Sequence, residues 1–190
     1  MILEEYKDLL KNRLSPRRYA HSLGVADAAR TLAEKYGVDP EKAYFAGLLH
    51  DIAKDDGGQK QLQTIKEAGI ILSELEKKAP KLWHAIAGAA LLEHQLGITD
   101  RELLDAVRYH TTARAGMSLL EKVIYLADFI SADRDFAGVE DLRRYTDESL
   151  KLGMEHALRF SIEDLTERGK LIHPDTVKAY NEAFFDQQED

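Results

Sequence analysis

No cysteine occurs among the 190 residues. Disulfides and thiolate metal sites are thereby excluded, and imidazole and carboxylate are left to hold any transition metal, in keeping with a reducing cytoplasm. Proline and glycine are sparse, at 4 and 12 residues, and with 44% hydrophobic and 32% charged residues the composition is that of an ordinary soluble globular chain, neither fibrous nor disordered. Positive charge is in deficit: 26 Lys and Arg against 34 Asp and Glu give a net charge of −8. That balance argues against a nucleic-acid partner, whose backbone is bound by clustered cations, but leaves room for a small phosphorylated ligand where cations gather locally. Long apolar runs are missing too. The longest, near Ala85 to Leu92, is too short to span a bilayer, and the start, MILEEYKDLLKNR, is amphipathic rather than basic then apolar. A cytoplasmic protein with no export segment and no membrane span is expected, its length suiting one domain.

Alternation of apolar and polar residues is equally lacking, and the helical period dominates, so an all-α fold is predicted. Ser15-Pro16 opens a long helix that Gly37 closes, and Asp39-Pro40 caps the next, with proline at the first helical position where its missing N–H costs nothing. Ser73 with Glu76, Thr99 with Glu102 and Ser118 with Glu121 read as capping boxes. Helices are predicted near 2–13, 16–36, 40–54, 58–68, 73–78, 81–96, 100–112, 118–131, 147–168 and 174–185. Residues 55–58 and 133–138 read as loops, and no internal repeat or interdomain linker is evident.

What the chain does contain is the ordered series His21, His50-Asp51, His84, His110 and Asp128. Counting back from Val25, Ala29 and Leu32 in steps of three and four turns His21 inward. Ala43, Ala46 and Gly47 lead to His50, and Asp51 follows about 100° around the helix. Asp128 lies one turn beyond Ile124 on a core-facing side, His84 one turn before Ala87 and Gly88, and His110 at the end of a helix carrying Leu103, Ala106 and Val107. Any one such histidine is ordinarily a hydrogen-bonded core residue. Burying the whole set unpaired would cost on the order of several kcal/mol per group, and their joint occurrence on separate helices points to a shared metal centre. Nitrogen and oxygen ligands suit Fe, Mn, Co, Ni or Zn, and residue type does not choose among them. Arg18, Lys54, Arg114 and Arg134 flank these motifs as candidate phosphate-binding cations. His94, near a helix end, reads as a dipole partner, and His156, in phase with Leu152 and Phe160, as core; Trp83, Tyr44, Phe45 and Tyr125 also read as core.

The series resembles the HD superfamily of metal-dependent phosphohydrolases. The stretches from Arg18 to Val25, Ala46 to Lys54, His110 to Thr112, and Ala127-Asp128 are similar to the branch of symmetrical bis(5′-nucleosyl)-tetraphosphatases, over nearly the whole chain. The chain departs from that branch at Ala113, where members often carry Gly, and in a more acidic loop at Ser131-Ala132-Asp133. The resemblance implies an HD-domain helical bundle over residues 1–190, with a metal-binding core near 16–135 and C-terminal helices near 147–185 that help form a nucleotide pocket. It implies an iron enzyme cutting diadenosine tetraphosphate into two ADP molecules, with His21, His50, Asp51 and Asp128 on a first ion. Asp51 would bridge to a second ion at His84 and His110, which otherwise contact phosphate. Catalytic roles fall by resemblance to Asp51, His84, His110 and Arg18. Nucleotide contacts fall to those four with His21, Lys54, Thr111, Asp128, Arg134, Lys170, Leu171, Ile172, His173, Pro174, Asp175 and Thr176. The implied partners are a dinucleoside polyphosphate or nucleoside diphosphate, and a homodimer is admitted. The ligand set by itself leaves open another HD phosphohydrolase acting on nucleotides or cyclic dinucleotides, an HD-type di-iron oxygenase, or a non-catalytic nucleotide sensor.

Overall fold

The structure is a computed structural model describing residues 2–185. Among the described residues there are helices and no strand: α1 (Ile2–Arg13), α2 (Pro16–Tyr36), α3 (Pro40–Leu49), α4 (Gly58–Glu67), α5 (Glu74–Lys78), a 3-10 turn (Pro80–Leu82), α6 (Trp83–His94), α7 (Arg101–Tyr109), α8 (Leu119–Ile130), α9 (Val139–Glu148), α10 (Leu150–Glu167) and α11 (Pro174–Ala183). None of these helices is long and apolar enough to cross a membrane.

The starts and stops follow local chemistry. Asp39 accepts from the backbone N–H groups of Glu41 and Lys42 at 2.9 and 3.1 Å, and Ser73-Glu76 and Ser118-Glu121 form reciprocal capping boxes. Gly37 ends α2 in the left-handed region at φ 77°. Thr99 does not cap α7: the acceptor is Asp100, one residue on, whose carboxylate takes the Leu103 N–H at 3.2 Å. Ser15 likewise gives no side-chain cap; its backbone N–H donates to Asp55 at 2.7 Å.

Two predicted helices end early, and both ends are occupied by site residues. α3 stops at Leu49 and passes into tight turns, with Ile52 N–H on the Leu49 carbonyl and Lys54 N–H on that of Asp51. α7 stops at Tyr109, just before His110. α9 was not predicted as a separate element. Its sequence VEDLRRYTDE buries Val139, Leu142 and Thr146 on one helical stripe spaced i, i+3, i+7, a signal the sequence does carry, although Gly138 offers no side-chain cap to mark the start. The last long helix accordingly begins at Leu150, capped by Ser149, rather than at 147.

The main core gathers Val25, Ala29, Leu48, Leu49, Leu120, Ile124 and Tyr125 from α2, α3 and α8; a smaller cluster of Ala53, Ile65, Leu72, Ile86 and Ala87 lies under α4 and α6. Tyr44 and Tyr125 are buried as expected, and Phe45 and Trp83, though half-buried, pack against the main and the smaller cluster respectively. The tightest helix contact is at Gly47, where a Cβ would sit 3.0 Å from Ala26 Cα and 3.1 Å from the Val25 carbonyl oxygen. Only glycine lets α3 lie so close to α2, bringing the end of α3 against the middle of α2.

Candidate metal centre

Six side chains from five helices or the turns adjoining them converge on one cage. His21 comes from the N-terminal part of α2, His50 and Asp51 from the turn closing α3, His84 from the first turn of α6, His110 from the residue ending α7, and Asp128 from the last turn of α8. His21, His50, Asp51, His84 and His110 are at most 3% exposed. Three sets of ligand atoms lie mutually within 4.8 Å: His21, His50 and Asp51; His50, His110 and Asp128; and Asp51, His84 and His110.

The two oxygens of Asp51 face opposite halves of this cage. Oδ2 is 3.5 Å from His50 Nε2 and accepts from Arg18 Nη1 at 2.9 Å; Oδ1 is 3.2 Å from His84 Nε2 and 3.5 Å from His110 Nε2. Asp128 Oδ1 stands 3.0 Å from His21 Nε2 and 3.9 Å from His50 Nε2.

The imidazoles are held in the form a metal needs. Nδ1 of His50 faces the Gly47 carbonyl and Nδ1 of His110 the Val107 carbonyl, each at 2.7 Å. A carbonyl only accepts, so Nδ1 carries a proton in both rings, and the tautomer this selects for a neutral ring leaves the Nε2 lone pair directed inward. Buried Nε2 of His21 and of His50 and Oδ1 of Asp51 find no hydrogen-bond partner among the described residues. Buried polar atoms are seldom left so, and here they meet at one place with nitrogen and oxygen chemistry; the donor set fits a divalent metal ion.

Electrostatics agree. Burial pushes the His50 and His84 imidazoles down to about 4, so both are neutral at pH 7. Burial alone would raise the Asp51 carboxyl, but the nearby His50, His110 and His84 imidazoles and Lys54 hold it well below the usual carboxylate range. Asp128 is likewise held low: its burial is outweighed by His21, His50 and Arg134. Neutral imidazoles beside ionised carboxylates are the states that bind metal.

Cations close the rim. Lys54 Nζ lies 3.0 Å from His84 Nε2 and 3.6 Å from Asp51 Oδ1. Arg134 donates from Nε to the Asp128 carbonyl at 2.6 Å and from Nη2 to its carboxylate. The Thr111 hydroxyl, next to His110, is buried and has no hydrogen-bond partner among the described residues. Residues 170–176 are fastened nearby: Lys170 N–H bonds the Leu165 carbonyl, and Thr176 Oγ1 donates to the Thr112 carbonyl at 2.7 Å. Leu171 is exposed, Ile172 half-buried, and Pro174 opens α11. His173 caps that helix by accepting the Asp175 N–H at 3.2 Å, and its Nε2 points to Glu76 at 3.8 Å.

Arg114 does not join the site. It is committed to the buried carboxylate of Glu121 at 2.7 Å and to Asp105 at 3.0 Å, and lies over the Tyr109 ring, because a buried Glu121 requires a partner. His156 is not core: it is half-buried and stacked on Tyr145 with ring centroids 3.6 Å apart. His94 ends α6, exposed, as expected. Sequence reasoning gave no role to Asp133, whose Oδ2 lies 2.8 Å from His21 Nδ1; its only signal was the acidic character of the loop after Asp128.

A family model described as HD domain matches residues 18–133, a span containing all six converging side chains. A Bacillus subtilis (strain 168) protein named Bis(5′-nucleosyl)-tetraphosphatase, symmetrical, is 38% identical over 178 residues, covering 94% of this chain and 95% of its own. A Staphylococcus aureus protein of the same name is 41% identical over 143 residues, 75% of this chain and 73% of its own. A crystal structure from Clostridium acetobutylicum, described as a predicted HD superfamily hydrolase involved in NAD metabolism, superposes with a TM-score of 0.93 at 38% identity over 97% of both chains. With its six-residue cage inside the matched span and its helices superposing along nearly their whole length, the chain belongs to the HD domain family.

Proposed function

We propose that this protein hydrolyses dinucleoside tetraphosphates symmetrically, diadenosine tetraphosphate giving two ADP, at a metal held by His21, His50, Asp51 and Asp128. The observation that carries the reading is the convergence of inward-facing, unpartnered Nε2 atoms and ionised carboxylates beneath three cationic side chains. The relatives named symmetrical bis(5′-nucleosyl)-tetraphosphatase support the substrate class and the position of the cut.

In the reaction the oxygen of water bonds to one central phosphorus, the bond from that phosphorus to the central bridging oxygen breaks, and each half departs as a nucleoside diphosphate. A divalent ion held there would supply Lewis acidity toward water and phosphoryl oxygen. Iron is the ion the resemblance favours, with Mn, Co, Ni or Zn compatible with the same ligands. Lys54, Arg18 and Arg134 face the phosphoryl oxygens and offset charge that spreads over them in the transition state. Arg18 also holds Asp51 Oδ2, which keeps Oδ1 turned toward His84 and His110. Those two imidazoles would either hold a second ion together with Asp51 or contact phosphate. A nucleoside diphosphate leaves readily, so no strong general acid is required. The core near 16–135 holds the metal, and residues 170–176, with Thr111, clamp a base and ribose. The cysteine-free composition favours a cytoplasmic setting.

Chromatography of diadenosine tetraphosphate incubated with metal-reconstituted protein tests this. ADP as the sole product is expected, with loss of turnover on chelation and in His50→Ala and Asp51→Ala, whose helicity is largely retained. AMP with ATP, or an undiminished rate in the chelated protein, overturns it.

A further inference from the structure

We propose that Asp133 is the positioning carboxylate of the metal centre: it fixes the His21 ring and strengthens Nε2 as a ligand. The inference rests on the metal site proposed above. Three imidazoles of the cage are tethered at Nδ1, and the third tether differs in kind. His50 and His110 each sit at a helix end and use the carbonyl of the residue three before them, 2.7 Å away. His21 lies inside α2, where the preceding carbonyls serve the helix, so its acceptor must come from another element. That acceptor is Asp133 Oδ2, at 2.8 Å from His21 Nδ1.

The carboxylate is itself held. Asp133 Oδ1 accepts from Ser131 Oγ at 2.8 Å. Ser131 is buried at the end of α8, its N–H bonded to the Ala127 carbonyl at 3.0 Å and its own carbonyl taking Arg143 Nη2 at 2.8 Å and the Arg134 N–H at 2.9 Å. Gly24, one turn along α2 from His21, faces the same carboxylate: a Cβ there would lie in ordinary contact, 3.4 Å from Asp133 Oδ1. The loop that carries Asp133 also carries Arg134, whose guanidinium holds Asp128, so one short segment sets two ligands. The carboxylate is about half exposed. An ionised acceptor on Nδ1–H fixes the ring's tautomer and raises the basicity of the opposite nitrogen, as carboxylate–histidine pairs do behind bound metals.

The test is the affinity of the full-length, metal-free protein for Co²⁺, measured by competition with a chromophoric chelator, together with the visible absorption of the cobalt protein. Asp133→Asn keeps an acceptor but removes the charge; Asp133→Ala removes both. The dissociation constant is expected to rise about tenfold in Asp133→Asn and by about 10- to 100-fold in Asp133→Ala, with an altered cobalt spectrum. A purely structural role would instead lower the melting temperature of the metal-free variants and leave the dissociation constant in place. Should Asp133→Ala fold poorly, Asp133→Asn, of the same size, decides the matter. Dissociation constants within twofold of the parent in a folded Asp133→Asn overturn the inference alone, whereas a parent protein that binds no cobalt overturns the metal site beneath it.

Discussion

Thr176 Oγ1 donates a 2.7 Å hydrogen bond to the carbonyl of Thr112, tying the first turn of α11 to the loop two residues beyond His110. Both residues are buried, and the bond joins segments 64 positions apart in the chain. It gives the C-terminal segment a fixed place beside the metal cage. Thr176→Val keeps shape but removes the donor, leaving the Thr112 carbonyl buried without this partner. A loss of about 1–3 kcal/mol in urea unfolding is expected, with KM for the dinucleotide raised severalfold and kcat less affected. A stability loss with KM unchanged would show that residues 170–176 do not touch the nucleotide.

Arg18 reaches Asp51 from one turn before His21, at 2.9 Å, with its side chain 30% exposed at the cage mouth. A guanidinium so placed can share its donors between Asp51 and a phosphate. Arg18→Ala removes a charge-assisted contact worth about 1.5–3 kcal/mol, so KM should rise on the order of tenfold or more in steady-state assays while metal content, read by elemental analysis, stays near the parent level. Loss of metal with no change in KM would assign Arg18 to the metal centre instead of the substrate.

Acid should destabilise the metal-free protein earlier than its carboxylates alone would require. His50 and His84 titrate near 4 in the folded chain because they are buried, against 6.5 when unfolded. Between those values the unfolded chain binds more protons, so their contribution is fully present above 6.5 and is lost as pH falls toward 4. The urea midpoint of chelated protein should therefore drop steadily from about pH 7 to 5, and the metal-loaded protein should drop more steeply, since protonation also expels the ion. A flat midpoint over that range would mean that both imidazoles are open to water.

The six-residue cage was legible because each member sits on an apolar helical stripe or directly follows one, so that phase gives an approximate direction. What could not be read lies where the chain leaves the helix. The breaks after Leu49 and Tyr109, which aim His50, Asp51 and His110, depend on turn geometry, and Asp133 reaches His21 across 112 residues of sequence. Arg114 looked like a phosphate ligand by its nearness to His110 and is instead spent on Glu121, a pairing set by burial. Ala113 stood out as a departure from related sequences; the structure holds it buried at φ 56°, a left-handed conformation natural to glycine.

Gly47 makes the closeness of α2 and α3 testable. A methyl there would meet Ala26 Cα at 3.0 Å and the Val25 carbonyl at 3.1 Å, and both neighbours are backbone, so the helices themselves must part. Overpacking of this kind costs about 1–3 kcal/mol, while alanine regains about 1 kcal/mol of helix propensity, so Gly47→Ala should be destabilised by roughly 1 kcal/mol. The larger effect should fall on the metal. His21 rides on α2 and His50 on the end of α3, with ring centroids 5.3 Å apart, and the Gly47 carbonyl is the acceptor that holds His50. Parting the helices by a few tenths of an ångström widens that pair and shifts its tether together. Metal affinity in Gly47→Ala, measured by chelator competition, is expected to fall by about tenfold, beyond what the small stability change alone would produce. Unchanged affinity alongside the stability loss would mean that the cage adjusts independently of the helices that carry it.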